Sequence, residues 1–266
     1  MSCDRRNRNM NYIGIDIGST ASKVCVLTPE ENGALHRDFR VLPTGWNSKI
    51  TAGLIREDLE KQLGSLEDTR VVATGYGRIS VDYADKVITE ISCHGRGGYA
   101  LAGRDCSIVD VGGQDTKFIN VVNGKAVDFL MNDKCAAGTG KFIEVMANRL
   151  GVTIEELFDL AKIGHPIPIS SLCTVFAESE VINYMGEGKS REDLAAGVID
   201  SVAQKVATLM LRNELSDMVI ITGGLSSNDY FAERLSEKVD HRVIPQPEGR
   251  FAGAYGAALL AKEKLG

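Results

Sequence analysis

The sequence predicts an α/β fold of two lobes, each opened by the same β-hairpin. Three observations predict it. An apolar strand ends in Asp-x-Gly twice, at Asp16-Ile17-Gly18 and at Asp110-Val111-Gly112. In both copies a lysine follows the aspartate at the same offset, so that I-D-I-G-S-T-A-S-K-V from Ile15 and V-D-V-G-G-Q-D-T-K-F from Val109 share one template. The link from Ile17 to Val24 is too short for a helical crossover, so the second strand must return antiparallel. Matched offsets of this kind read as an internal duplication.

Each element follows from its local pattern. Tyr12 to Ile17 is a buried strand, Gly18 to Lys23 a glycine and hydroxyl turn, and Val24 to Leu27 the returning strand. Phe39 to Leu42 reads as a third strand, Ile50 to Leu63 as a helix, and Arg70 to Thr74 as a strand ending in Gly75-Tyr76-Gly77. Ile88 to Leu101 reads as a helix weakened by Gly95, Gly97 and Gly98. The second copy runs Ser107 to Val111, Phe118 to Val122 and Ala126 to Leu130; then comes Cys135, just ahead of a small-residue turn, with an amphipathic helical run following it to about Leu150. Ile154 to Ile163, Val175 to Met185, Leu194 to Asn213 and Asp229 to Val239 are helical, and Met218 to Thr222 and Val243-Ile244 are strands. The last helix, Ala252 to Lys264, is rich in small residues and suited to close packing. The organisation expected is a 1–10 extension, lobe I from 11–105 plus 250–266, and lobe II from 106–249.

A chain of 266 residues with 44% hydrophobic content can bury two cores. A net charge of −6 gives no global pull toward nucleic acid or anionic membranes. The basic tip Arg5, Arg6, Arg8 reads as a frayed tail. No stretch approaches the roughly 20 apolar residues of a membrane span, and no signal peptide precedes Met10, so a cytoplasmic protein is expected. Six cysteines in a reducing compartment argue against a disulfide framework.

The two Asp-x-Gly turns suit a nucleotide. Glycines let backbone N–H groups approach phosphate oxygens, and Ser19, Thr20 and Ser22 add hydroxyl donors. Asp16 and Asp110 are expected to face each other across a cleft and to hold Mg²⁺ through water. Thr222-Gly223-Gly224-Leu225, after a late strand, adds a third glycine turn. Neither a G-x-x-x-x-G-K-[ST] loop nor a G-x-G-x-x-G is present, which disfavours the P-loop and dinucleotide-binding folds.

In order and spacing these turns resemble the actin, Hsp70 and sugar-kinase superfamily of two-lobed ATPases. The resemblance implies that Asp16 to Lys23, with Gly18, Ser19, Thr20, Ala21, Ser22 and Lys23, is the first phosphate loop. It makes Asp110 to Asp115, with Gly112, Gly113 and Gln114, the second, and Thr222 to Leu225, with Gly223 and Gly224, the adenosine motif.

Among the cysteines, Cys25 lies in a strand and Cys93 and Cys106 in apolar or linker contexts, where burial or inert exposure is expected; Cys3 lies in the tail. Cys135 and Cys173 each lie in a Ser-, Thr- or Gly-rich turn ahead of a helix. A thiol at a helix N-terminus is favoured as thiolate, which makes both candidate metal ligands. A [4Fe–4S] cluster takes four thiolates, which a two-fold homodimer supplies from two per chain. A zinc site has the same arithmetic.

N-D-K-C-A-A-G-T-G-K-F from Asn132 and C-T-V-F-A-E-S-E-V from Cys173 resemble the ATPase activators of 2-hydroxyacyl-CoA dehydratases, a family that includes the ATPase subunits of benzoyl-CoA reductases. G-I-D-I-G-S-T-A-S-K, A-T-G-Y-G-R and D-V-G-G-Q-D are similar to the same family. The resemblance implies one [4Fe–4S] cluster per homodimer, held by Cys135 and Cys173 of both chains. It further implies MgATP between the lobes, and ATP hydrolysis that drives single low-potential electrons from a donor such as ferredoxin or flavodoxin to a partner dehydratase or reductase. Asp110 or Gln114 would orient the attacking water. Arg250 stands near the adenine site, where such activators tend to carry Gln. Glu178 and Glu180 read as an exposed acidic helix face. A small-molecule kinase of the same superfamily, or a nucleotide-gated binding protein without a redox role, would need neither Cys135 nor Cys173.

Overall fold

The computed structural model describes residues 10–169 and 173–266. Cys3, the basic tip and the Ser170-Ser171-Leu172 part of the turn before Cys173 lie outside them. In chain order the first elements are β1 (Asn11–Ile17), β2 (Ala21–Pro29), β3 (Leu35–Pro43), α1 (Ser48–Leu63), β4 (Thr69–Thr74), β5 (Lys86–Val87) and α2 (Glu90–Ala102). Then come β6 (Cys106–Val111), β7 (Thr116–Val122), β8 (Lys125–Asn132), α3 (Gly140–Leu150), α4 (Ile154–Ile163), α5 (Thr174–Gly186) and α6 (Arg191–Met210). β9 (Val219–Gly223), α7 (Asp229–Val239), β10 (Val243–Ile244) and α8 (Ala252–Leu265) complete the chain.

Two compact units result. One runs through Asp105 and takes in Val121–Val127 and Arg250–Gly266; the other comprises Cys106–Asn120 and Asp128–Gly249. In the first, five strands pair in the order β3-β2-β1-β4-β5. β1 runs antiparallel to β2, which sets Asp16 opposite Lys23, and parallel to β4, which sets Asp16 beside Thr74. The second sheet has the order β10-β9-β6-β7-β8, the same arrangement advanced by five strands. β6 runs parallel to β9, and Asp110 lies beside Thr222 as Asp16 lies beside Thr74. The duplicated hairpin is therefore the visible part of a duplicated sheet.

β1 is buried along nearly its whole length because it is a central strand with both faces covered, so it reads as an apolar run and not as an alternation. α8 packs on it and on α2. A Cβ at Gly97 would collide with the Ala252 carbonyl, and one at Gly256 with the Cys93 carbonyl, so α2 and α8 meet backbone to backbone. The glycines that weaken α2 as an isolated helix are what let it dock. In the second unit Phe142 and Met146 of α3, Leu157 of α4, Ala177 and Val181 of α5, Val202 of α6 and Phe231 of α7 enclose Val109 and Ile221 in one core.

Several boundaries differ from the sequence reading, for local reasons. α2 begins at Glu90 and not at Ile88, because Thr89 caps it by accepting from the Ser92 N–H at 3.4 Å. α6 begins at Arg191 and ends at Met210, because Ser190 accepts from the Asp193 N–H at 3.1 Å. β5, two residues long, carries too little pattern to be read from sequence.

Candidate functional site

In the first unit Asp16 is 3% exposed at the end of β1. The turn that follows is closed by Gly18, where a Cβ would lie 2.7 Å from the Ala21 carbonyl oxygen. Ser19 and Thr20 are exposed on the turn. Ser22 is fully buried and shares a 2.8 Å hydrogen bond with the Thr44 hydroxyl, while Thr44 also donates to the Gly18 carbonyl at 2.8 Å. Its hydroxyl thus faces the scaffold and not the turn surface. Thr44, which no motif marked, is the clamp that holds the loop. Lys23 is half-buried beside the turn, its Nζ 3.4 Å from where a Gly18 Cβ would stand.

The second unit repeats the turn with different chemistry around the carboxylate. The Gly112 N–H donates to the Asp115 carbonyl at 2.9 Å, and a Cβ at Gly112 would lie 2.6 Å from Asp115 Oδ1. Asp110 is 2% exposed; its Oδ1 accepts from the Thr222 hydroxyl at 2.7 Å and its Oδ2 lies 3.5 Å from Lys117 Nζ. Lys117 is 1% exposed and also pairs with Asp115 at 2.8 Å. Both oxygens of Asp110 are therefore directed by protein groups, whereas the Gln114 side chain is exposed at the tip of the same turn. Gly223 and Gly224 follow β9, where the Gly224 N–H donates to the Val111 carbonyl at 3.0 Å. Arg250 is exposed in a short 3₁₀ turn, Gly249–Phe251.

Cys135 and Cys173 are exposed, while Cys25, Cys93 and Cys106 are buried. Burial pushes the Cys93 thiol up to about 12, which keeps it protonated and unsuited to a metal. Cys173 is the N-cap residue of α5. Cys135 is not at a helix start: α3 begins at Gly140, and Thr139, with extended backbone, precedes it. The loop between is fixed all the same. Asn132 Nδ2 donates to the carbonyls of Cys135 and Ala137 at 3.0 and 3.1 Å, and the Thr139 hydroxyl donates to the Ala136 carbonyl at 2.6 Å.

This loop is hydrogen-bonded to the Asp-x-Gly turn of the second unit. The N–H groups of Gly140 and Lys141 donate to the carbonyls of Gly112 and Gly113 at 2.9 and 2.8 Å, and the Thr116 hydroxyl donates to the Gly138 carbonyl at 2.6 Å. α3 and α5, the helices that follow the two cysteines, share a core and are joined by Arg149, whose Nε donates to Glu178 at 2.9 Å. Glu178 is thus paired, not a plain solvated charge, and Glu180 lies beside the Tyr184 hydroxyl at 3.4 Å.

Among the described residues no group of three or more His, Cys, Asp or Glu side chains is placed to hold a metal, and no helix is long and apolar enough to cross a membrane. The two exposed thiols among the described residues would supply half the donors of a four-thiolate site. Asp16 in the first unit and Asp110 in the second are each a hard oxygen donor of the kind that suits Mg²⁺.

Comparison with known proteins decides the family. Residues 13–261 match the BadF/BadG/BcrA/BcrD ATPase family. The chain belongs to that family. It is 41% identical to the (R)-2-hydroxyglutaryl-CoA dehydratase activating ATPase of Acidaminococcus fermentans, over 95% of this chain and 97% of the relative. The crystal structure of that dehydratase's component A superposes with a TM-score of 0.88 at 39% identity, covering 96% of this chain and 99% of that one. The ADPNP-bound activator of 2-hydroxyisocaproyl-CoA dehydratase from Clostridium difficile gives 0.85 at 38% identity, covering 96% and 97%. A ROK-family protein from Streptococcus pneumoniae, 14% identical with a TM-score of 0.56 and coverage of 97% and 100%, shares the fold alone. The fold of this BadF/BadG/BcrA/BcrD member is that of the actin, Hsp70 and sugar-kinase-like ATPases.

Sequence reasoning passed over Thr44 and His94. His94 is 5% exposed and packs close to Asp16, and a lone histidine in a glycine-broken helix gave no pattern to find it by.

Proposed function

We propose that this ATPase activates a partner 2-hydroxyacyl-CoA dehydratase or related reductase by transferring single low-potential electrons to it. The observation that carries the reading is the set of hydrogen bonds from the Cys135 loop and α3 to the Gly112–Gly113 turn. It links the proposed nucleotide-binding turn through the backbone to the loop that carries an exposed thiol. The names of the relatives, activators of dehydratases acting on CoA thioesters, support the same conclusion.

Ser19, Thr20, Lys23 and the amides of Gly18, Gly113 and Gly223 would bind the phosphates of ATP or ADP, with Gly112 and Gly224, whose amides close the turns, giving the backbone room and Arg250 beside the adenine. Asp16 and Asp110 would hold Mg²⁺ through water. Because Thr222 and Lys117 already direct both oxygens of Asp110, Gln114 is assigned to orient the attacking water. Cys135 and Cys173 of two protomers would hold one [4Fe–4S] cluster, which when bound supplies one-electron chemistry at low potential. A change in the phosphate turn on hydrolysis moves the carbonyls to which α3 is bonded, and coupling follows where ATP and ADP favour different positions of that helix. A ferredoxin or flavodoxin in the cytoplasm would reload the protein.

Anaerobic purification with iron and sulfide counted per dimer tests the reading, together with ATP hydrolysis. About four irons per dimer, lost in Cys135→Ser plus Cys173→Ser, is expected. Iron retained in the double variant, or ATP-dependent phosphorylation of a small molecule, would overturn it.

A further inference from the structure

We infer that His94 is the positioning residue of Asp16, doing for the first-unit aspartate what Lys117 and Thr222 do for Asp110. The inference rests on the placement of Asp16 at the Mg–nucleotide site. Asp16 and His94 come from β1 and α2, yet both enter a notch that Gly253 leaves in α8. A Cβ on Gly253 would lie 2.7 Å from Asp16 Oδ2 and 2.8 Å from His94 Nε2. On its other side the carboxylate is walled by Gly75, where a Cβ would collide with Asp16 Oδ1. Two glycines therefore shape a slot for the carboxylate, and the imidazole Nε2 shares the Gly253 notch with its Oδ2. Glu90 Oε1, 3.7 Å from the same Nε2, backs the ring from within α2.

The duplication explains why a histidine is needed. Lys117 is buried and ion-paired with its aspartates, whereas its counterpart Lys23 is half-buried at the Gly18 turn. Left at the turn, Lys23 is available to phosphate, and the inner partner of Asp16 comes from another helix. A carboxylate that holds a cation through water must have its lone pairs fixed in direction, and a neighbouring ring N–H does so.

Nucleotide titrations on the full chain test this, with MgADP and with ADP in EDTA. His94→Phe keeps the ring and removes the donor; it should weaken MgADP about ten- to hundredfold while ADP in EDTA changes less than about threefold. His94→Gln, whose amide restores a donor, should recover most of the loss. Gly253→Ala, which pushes a methyl against both groups, should resemble His94→Phe. Equal weakening of both forms, or of neither, overturns the inference. Should His94→Phe fail to fold, the contrast between His94→Gln and Gly253→Ala decides, and equal behaviour of those two overturns it. Asp16→Asn, run alongside, separates the failures. If it leaves the MgADP preference intact, the placement of Asp16 is wrong and the inference falls with it. If it removes the preference while His94→Phe does not, only the role of His94 is wrong.

Discussion

The Gly140 N–H donates to the Gly112 carbonyl at 2.9 Å, joining the first residue of α3 to the Asp-x-Gly turn of the second unit. The Thr116 hydroxyl makes the parallel link to Gly138, inside the Cys135 loop. The Gly112–Gly113 turn and the Cys135 loop thus share a few atoms, through which the proposed nucleotide site would reach the thiol.

Thr116→Val should uncouple them. The wild-type apoprotein is expected to show different Cys135 alkylation rates with ADP and with a non-hydrolysable ATP analogue. The variant should lose that difference, keep its nucleotide affinity, and unfold about 1 kcal/mol more easily. An undiminished difference in alkylation rate would remove the hydroxyl from the coupling route.

Cysteine replacements should divide by exposure. Cys135→Ser and Cys173→Ser, at exposed positions, should change stability by less than about 0.5 kcal/mol while abolishing iron binding. Cys106→Ser, in the core, should keep its iron and lose about 1–3 kcal/mol by burying a hydroxyl. Iron content and urea unfolding on the same preparations check both halves.

The two template lysines should behave oppositely. Lys117→Met strips the buried counter-ion from Asp110 and Asp115 and should cost about 3 kcal/mol in urea unfolding. Lys23→Met should leave stability nearly unchanged and weaken ATP binding. A stable Lys117→Met protein would show that the carboxylates find another partner.

α6 and α7 are fastened by Asp200, which accepts from Arg234 at 2.7 Å and from Lys238 at 3.0 Å. Burial pushes the Asp200 carboxyl up, but the hydrogen bonds from Arg234 and Lys238 outweigh it and hold the carboxyl below its ordinary value. A depressed carboxylate stabilises the fold above its unfolded pKa of about 3.9 and loses that contribution as pH falls through the lower folded value. Asp200→Asn should therefore cost about 1 kcal/mol at neutral pH. In thermal melts the gap between wild type and variant should close as the pH is taken below about 3.9; a gap independent of pH would refute the ion-pair account.

The repeated hairpins were legible because they are local: Asp, Gly and Lys offsets are fixed by strand period and turn length. What anchors the start of α3 was not. Gly138, at φ +89°, and the extended Thr139 interrupt the run after Cys135, and the helix begins where Gly112 and Gly113 accept its first N–H groups. That partner lies in another strand's turn, beyond any window of sequence. The inward turn of Ser22 was in principle readable, since in β2 it shares parity with Val24 and Val26. The site of His94 depends on Gly253, from the last helix of the chain, and no local pattern records such a meeting.

The interlock of α2 with α8 has a consequence for biosynthesis. The first unit needs a helix translated after every residue of the second, and glycine contacts leave no looser substitute for it. The ribosome therefore delivers all the segments of the later unit before the earlier one can close. Until then the apolar side of β1 waits uncovered, and that interval is where chaperone dependence and aggregation should concentrate.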